Sequence, residues 1–300
     1  MAKIVSFINF KGGVGKTTTA VEIAVSLAAH HGKRVLLVDL DPQTNATFYL
    51  VREGDWASWV QERGSLKDLF DSVLGGDRPC EIRNAIMQTV GAGGLAIPGL
   101  HLLPSHLELI SVDLRLAGAA GAGQGVFGPQ TVLASHLRKI ADEYDYILCD
   151  CPPNFNLITQ NGMFASEAYV VPMLPDFLST IGITLIRREI DNFTAGMRRA
   201  VESFGAGFTG PELRGVIFSR VRVLKYESPP RLAALHRQII RSIRDDPFFG
   251  PKIFRHFIPE SVHVGEAPAR KIPASLSPNG THRAIGKQFR ALAAEFFERV

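Results

Sequence analysis

The 300-residue sequence predicts an α/β fold, a mostly parallel twisted sheet with helices on both faces. Three observations carry the prediction. Residues 3–9, 35–43 and 146–153 hold short apolar runs, the pattern of strands buried on both faces. A glycine-rich turn joins the first run to a helix, residues 16–29, rich in Ala, Val, Ile and Leu. The second run ends in two carboxylates, Asp39 and Asp41, and the third ends in an aspartate, Asp150.

The turn reads Lys11-Gly12-Gly13-Val14-Gly15-Lys16-Thr17-Thr18. Gly-Lys-Thr between a strand and a helix start is the end of a phosphate-binding loop. Glycines let successive N–H groups converge on an anion, and the helix N-terminus adds partial positive charge. Lys16 suits the β- and γ-phosphates and the Thr17 hydroxyl suits Mg²⁺. The usual pattern also places a glycine five residues before Gly15, where this chain has Phe10. In exchange it carries a second lysine, Lys11. One lysine suffices for the phosphates of one nucleotide, so Lys11 needs a different job.

In open α/β sheets, ligands sit beyond the carboxyl ends of the strands. Three strand ends delivering Lys16 and Thr17, Asp39 and Asp41, and Asp150 to one edge make a Mg–nucleotide site. Between them the pattern is weaker. His101–Ser105 reads as the end of another strand, Ala134–Glu143 as a helix, and Gly118–Gly128 as a surface loop.

Composition limits the alternatives. A 46% hydrophobic fraction suits a globular chain, and no apolar run is long enough to span a membrane. No repeat or linker divides the chain, which predicts one domain over 1–300. Met-Ala-Lys runs straight into the first strand, so no export signal is expected. Three cysteines make no disulfide framework, which predicts a reducing cytoplasm. Cys149 and Cys151 flank Asp150 but are too few for a closed metal site; a small buried hydrophobe and a turn residue are expected.

The net charge of +4 conceals an asymmetry, since residues 214–300 hold 16 Lys/Arg against 7 Asp/Glu. A helix is predicted from Pro229-Pro230 to before Pro247. Leu232, Leu235, Ile239 and Ile243 share one face by helical spacing, and Arg237, Arg241 and Arg244 share the opposite one. An arginine stripe without acids, extended by Arg220, Arg222, Lys225, Lys252 and Arg255, favours a phosphate-contacting surface.

Lys11–Thr18, Asp39-Leu40-Asp41-Pro42-Gln43 and Asp150-Cys151-Pro152-Pro153 resemble the deviant phosphate loop and the two following motifs of the ParA/MinD ATPases. The resemblance covers roughly residues 1–50 and 144–190, and is strongest to ParA/Soj-type, McdA-like partition and cargo-positioning proteins. It implies a P-loop NTPase fold and Mg-dependent hydrolysis of ATP to ADP and phosphate. It also implies an ATP-sandwich homodimer in which Lys11 crosses to the partner's phosphates. Lys11, Lys16 and Asp41 become the catalytic residues, Asp41 orienting the attacking water. The loop from Gly12 through Gly13, Val14, Gly15 and Lys16 to Thr17 and Thr18 cradles the phosphates. Thr17 holds Mg²⁺, with Asp39 and Asp150 acting through its waters. Ser219, Arg220 and Pro259 fall near the base.

The resemblance further implies non-specific double-stranded DNA binding through the basic C-terminal surface. A ParB-like or other cargo-bound adaptor would stimulate hydrolysis, on the nucleoid within the cytoplasm. With no added N-terminal helix-turn-helix, operator binding is not expected. The chain departs from the family at Phe10 (often Gln), Thr44 (often Gly) and Ser219-Arg220 (often an Asn near the base).

Two other readings compete. A MinD-like membrane switch needs an amphipathic C-terminal helix, and Ile285, Phe289, Leu292, Phe296 and Val300 have the spacing. Glu295 and Glu298 in its last turns favour packing on the body instead. A metabolic P-loop enzyme acting on a small molecule lacks any second substrate motif here.

Overall fold

Alternating side chains of the central strands enter two cores, one on each face of a single sheet. Val5 and Phe7, Val35 and Leu37, and Tyr146 and Leu148 point to one face. Leu36 and Val38, and Ile147 and Cys149, point to the other. That is why these strands read as unbroken apolar runs. The computed structural model describes residues 1–76, 80–92, 95–120, 128–203, 205, 207–225, 230–277 and 280–300.

In chain order the first elements are β1 (Lys3–Phe7), α1 (Lys16–His31), β2 (Val35–Asp39), α2 (Asn45–Leu50), α3 (Glu53–Arg63), α4 (Leu66–Val73) and α5 (Ile82–Ala85). A short hairpin of β3 (Gly91–Ala92) and β4 (Leu95–Ala96) precedes β5 (Leu100–Leu103), α6 (Leu109–Ala120), α7 (Val132–Leu137) and β6 (Tyr146–Asp150). Then come α8 (Leu157–Ala165), β7 (Ala168–Met173), α9 (Phe177–Glu202) and β8 (Glu212–Phe218). The chain closes with β9 (Val223–Lys225), β10 (Arg231–Leu232), α10 (Ala234–Arg244), α11 (Val262–Arg270) and α12 (Gly280–Arg299). The six-stranded sheet has the order β5-β2-β6-β1-β7-β8 and every pair is parallel.

Helix α1 has little amphipathic contrast because it is covered on several sides. Its residues Thr19–Ala28 are all buried, between the sheet and α12. Gly32, at φ 62°, caps its end. On α12, Phe289, Leu292 and Phe296 are buried in the same core, and Phe296 stacks on Phe7 at 5.9 Å. The apolar stripe that motivated a membrane reading is therefore packing surface. Among the described residues no helix is long and apolar enough to cross a membrane.

Three expected elements differ. The helix expected over 134–143 is α7 followed by a turn and a 3-10 segment, Ala141–Glu143. Its backbone groups go to tertiary partners instead: the Ala141 carbonyl accepts from the Ala2 N–H (2.9 Å) and the Lys139 carbonyl from the Arg83 guanidinium (2.6 Å). The helix expected from Pro229-Pro230 begins at Ala234, because Arg231 and Leu232 are drawn into a hairpin with β9; Pro229 lies outside the described residues. In α10 the buried face is Ile239, Ile240 and Ile243, and Leu235 is exposed. Helix α6 runs on to Ala120, into the segment expected to be a loop, of which residues 121–127 lie outside the described residues.

Candidate nucleotide site

Strands β2, β6 and β1 are neighbours, and their register sets Asp39 beside Asp150 and Phe7 beside Asp150. The loop after β1 therefore rises next to both aspartates. Asn9 braces its start, donating from Nδ2 to the Pro172 carbonyl (2.8 Å) while Oδ1 accepts from the Lys11 N–H (2.9 Å). Gly13 and Gly15 have φ 72° and 79°, which L side chains resist. Gly15 is also the N-cap of α1. A Cβ at Gly12 or Gly13 would meet no atom within 4 Å, so this backbone is open toward an incoming group.

The loop forms one wall of a cleft of about 790 Å³. Gly12, Gly13, Gly15, Lys16, Thr17 and Thr18 line that wall; Asp41, Gln43, Ser219, Arg220, Pro259 and the start of α11 complete the lining, with Ser219 against the loop itself. The Val14 side chain is buried, so only its backbone is available to a ligand. Ser219 spends its hydroxyl on the loop itself, donating to the Val14 carbonyl (2.6 Å) with the Met173 carbonyl at 3.3 Å. It acts as a strut between the loop and β7.

Lys16 is buried, and burial lowers its pKa against the opposing pull of Asp150 and Asp41. Its Nζ reaches the Lys11 carbonyl at 3.3 Å. Asp39 is fully buried and turned toward the following loop. Its Oδ2 accepts from the Thr47 N–H (2.8 Å) and hydroxyl (2.7 Å), and its Oδ1 from the Asp41 N–H (3.2 Å). Burial pushes its pKa up to about 7, with the Thr47 bonds pulling down and the Asp41 charge adding to the rise.

Asp150 differs, since among the described residues neither carboxylate oxygen has a hydrogen-bond partner of full geometry. Burial and then the charge of Asp39 raise its pKa well above the usual range, and the nearby Thr17 hydroxyl only moderates this. An orphaned buried carboxylate beside a hydroxyl and a lysine is the environment a hard divalent cation relieves. Asp39, Asp41 and Asp150 do not converge as a direct three-ligand set, which suits an ion that keeps waters and nucleotide oxygens in its shell.

Asp41 is the one of the three carboxylates that lines the cleft. Its Oδ1 accepts from the Gln43 N–H (2.9 Å), and its carbonyl from the Ser105 hydroxyl (2.7 Å) and the Thr44 N–H (2.9 Å). Burial raises its pKa against the Gln43 bond and Lys16. Thr44 sits at φ 54°, a left-handed conformation rare for a β-branched residue and the reason glycine suits this position.

Lys11 lies outside the cleft wall. Its Nζ pairs with Asp176 Oδ2 at 2.6 Å, at the start of α9. Asn9, Thr47, Ser105 and Asp176 are the site's supports that sequence reasoning missed. Only Asn9, next to the glycine run, and Asp176, before a helical segment, carry a local signal.

The basic residues divide. Arg237, Arg241 and Arg244 are exposed on α10 with no ion pair to a described residue, and Arg222 is exposed likewise on the approach to β9. Arg220 stands 4.0 Å from Glu260, at φ 50°. Lys252 pairs with Glu212 (3.9 Å), and Arg255 with Glu295 (3.6 Å) and Glu298 (3.2 Å), which partly neutralises both. Cys149 and Cys151 are buried free thiols.

A family model described as an AAA domain matches residues 2–203. With the glycine cradle, Lys16 and the strand-end carboxylates, this makes the chain a P-loop ATPase. It is 35% identical to the chromosome-partitioning ATPase Soj of Thermus thermophilus over 99% of its length and 96% of the relative's. It is 31% identical to the chromosome partitioning protein ParA of Caulobacter vibrioides, over 91% of this chain and 86% of that one. The solved ATP complex of a Cyanothece McdA variant shares the fold, with TM-score 0.70 and 23% identity, covering 99% of this chain and 96% of that one. The chain belongs to the ParA/Soj family of partitioning ATPases.

Proposed function

We propose that the protein is an ATP-driven dimerising switch that binds DNA without sequence preference and positions a cargo over the nucleoid. The observation that carries this reading is the division of labour between two lysines on one loop: Lys16 faces the cleft and Lys11 is turned out of it. Lys16 and the backbone of Gly12 to Thr18 hold the phosphates of the chain's own ATP. Lys11 serves the phosphates of a second copy. Asp41 orients the attacking water, and Thr17 with Asp150 and Asp39 holds Mg²⁺ through its waters. Bound Mg²⁺ supplies charge neutralisation on the phosphates.

The exposed Phe177, Leu178 and Ile181 at the start of α9, beside Lys11, support a face that a second copy covers. The stripe Arg237, Arg241 and Arg244, which forms no ion pair among the described residues, supports contact with DNA phosphates. Arg220 and Pro259, brought together by the bridge between Val221 and Pro259, serve the base, and Ser219 acts there through the loop. Residues 1–300 work as one unit, because α12 packs on α1 and so joins the last third to the phosphate loop. DNA prefers the ATP dimer, and an adaptor on the cargo stimulates hydrolysis and releases it.

The test is DNA binding and sedimentation with ADP, with ATP and with a slowly hydrolysed analogue. Dimers and DNA binding are expected only with the triphosphates. Binding to anionic vesicles in place of DNA would overturn the reading.

A further inference from the structure

The Lys11–Asp176 ion pair spans 165 residues of sequence and joins the phosphate loop to the first turn of α9. Asp176 divides its two oxygens. Oδ1 accepts from the Ser179 N–H at 2.8 Å as the N-cap of α9, and Oδ2 takes the Lys11 ammonium at 2.6 Å. The Lys11 backbone is fixed independently through Asn9, itself tied to β7. The side chain is thus held at both ends: its root by the loop, its tip by α9. The same ammonium cannot sit on Asp176 and on the phosphates of another copy.

We infer that Asp176 is a positioning residue acting through Lys11: it parks the lysine within its own chain, and the pair opens when a second copy presents its nucleotide. This rests on the dimer reading above. The park is shallow by construction. The two side chains are 39% and 36% exposed, a setting in which ion pairs are weak and salt-sensitive. A shallow park suits a switch, because a triphosphate outcompetes one half-exposed carboxylate. It also keeps the ammonium away from the chain's own cleft, where Lys16 already lies. Asp176 therefore sets the protein concentration at which ATP closes the dimer, without touching nucleotide itself.

Asp176→Asn separates the two roles, because asparagine caps a helix as well as aspartate does but carries no charge for Lys11. In the nucleotide-free single copy, acetylation of Lys11 by an N-hydroxysuccinimide ester, followed by mass spectrometry and referenced to Lys3, should be faster in the variant. With ATP, the variant should dimerise at a protein concentration lower by about two- to thirtyfold, the scale of two half-exposed pairs, one opened in each copy. The KM for ATP measured at saturating protein should stay unchanged. Asp176→Glu, which keeps the charge, should restore slow acetylation, and 0.5 M KCl should erase the difference between wild type and Asp176→Asn.

Equal Lys11 reactivity in wild type and Asp176→Asn would overturn the inference. So would an unchanged or higher dimerisation threshold in a folded Asp176→Asn protein. If wild type never dimerises with ATP while Lys11 reactivity does respond to Asp176→Asn, the dimer reading has failed and the ion pair stands.

Discussion

Asp150→Asn should make the metal-free protein more stable while weakening its response to Mg-ATP. Asp150 is fully buried, and neither of its oxygens has a partner of full geometry among the described residues, so asparagine at nearly constant shape forfeits no hydrogen bond. What it removes is a buried, unpaired charge beside Asp39. An unsatisfied buried polar group costs about 1–3 kcal/mol, and more when charged. A chain of this size shifts its Tm by roughly 2–4 °C per kcal/mol.

The pH dependence fixes the cause. The pKa of Asp150 is raised in the folded protein, so its contribution to stability is full below its unfolded value and is lost as pH rises through its folded value. The advantage of Asp150→Asn should therefore be largest at alkaline pH and vanish in acid. Differential scanning fluorimetry in EDTA from pH 5 to 9 measures it, with a parallel series in Mg-ATP. Mg-ATP should stabilise the wild type strongly and the variant little. Destabilisation of the variant at pH 8, or a gain independent of pH, would refute the argument that Asp150 is an orphan awaiting a cation.

Other outcomes follow from the same geometry. Affinity for Mg-ATP should weaken as pH falls below about 7, where Asp39 takes up its proton, by at most about tenfold per pH unit for each proton displaced; isothermal titration at several pH values would reveal the slope. Gly13→Ala forces a side chain onto φ 72° and should destabilise by about 1 kcal/mol or more with loss of nucleotide affinity, read by thermal melts and a fluorescent ATP analogue. Replacing Arg237, Arg241 and Arg244 by alanine should lower the slope of log K against log salt by about 3 for DNA binding, with ATP turnover in the absence of DNA unchanged.

Much of the phosphate edge was legible because it is local. The strands β1, β2 and β6 are buried on both faces, and that burial writes unbroken apolar runs. The positive φ of Gly13 and Gly15 has a compositional signature. The parts that were not legible depend on distant partners. Nothing near Asp39 says that Thr47 will cap it, nor near Ser219 that its hydroxyl will brace Val14 across 205 residues. Ala134–Glu143 has helical spacing, yet Ala2 and Arg83 claim its carbonyls and break it. The α10 stripe was half legible. The arginines are exposed as spaced, but Arg231 and Leu232 pair with β9 outside the helix, and the buried face takes in Ile240 and not Leu235.

The division of labour between the two lysines has a direct test. Lys11→Ala and Lys16→Ala proteins would be compared for binding of a fluorescent ATP analogue and for ATP-dependent dimerisation by analytical ultracentrifugation. The Lys11→Ala protein should bind nucleotide like wild type and stay monomeric, whereas the Lys16→Ala protein should fail at binding. A Lys11→Ala protein that dimerises normally with ATP would contradict the account.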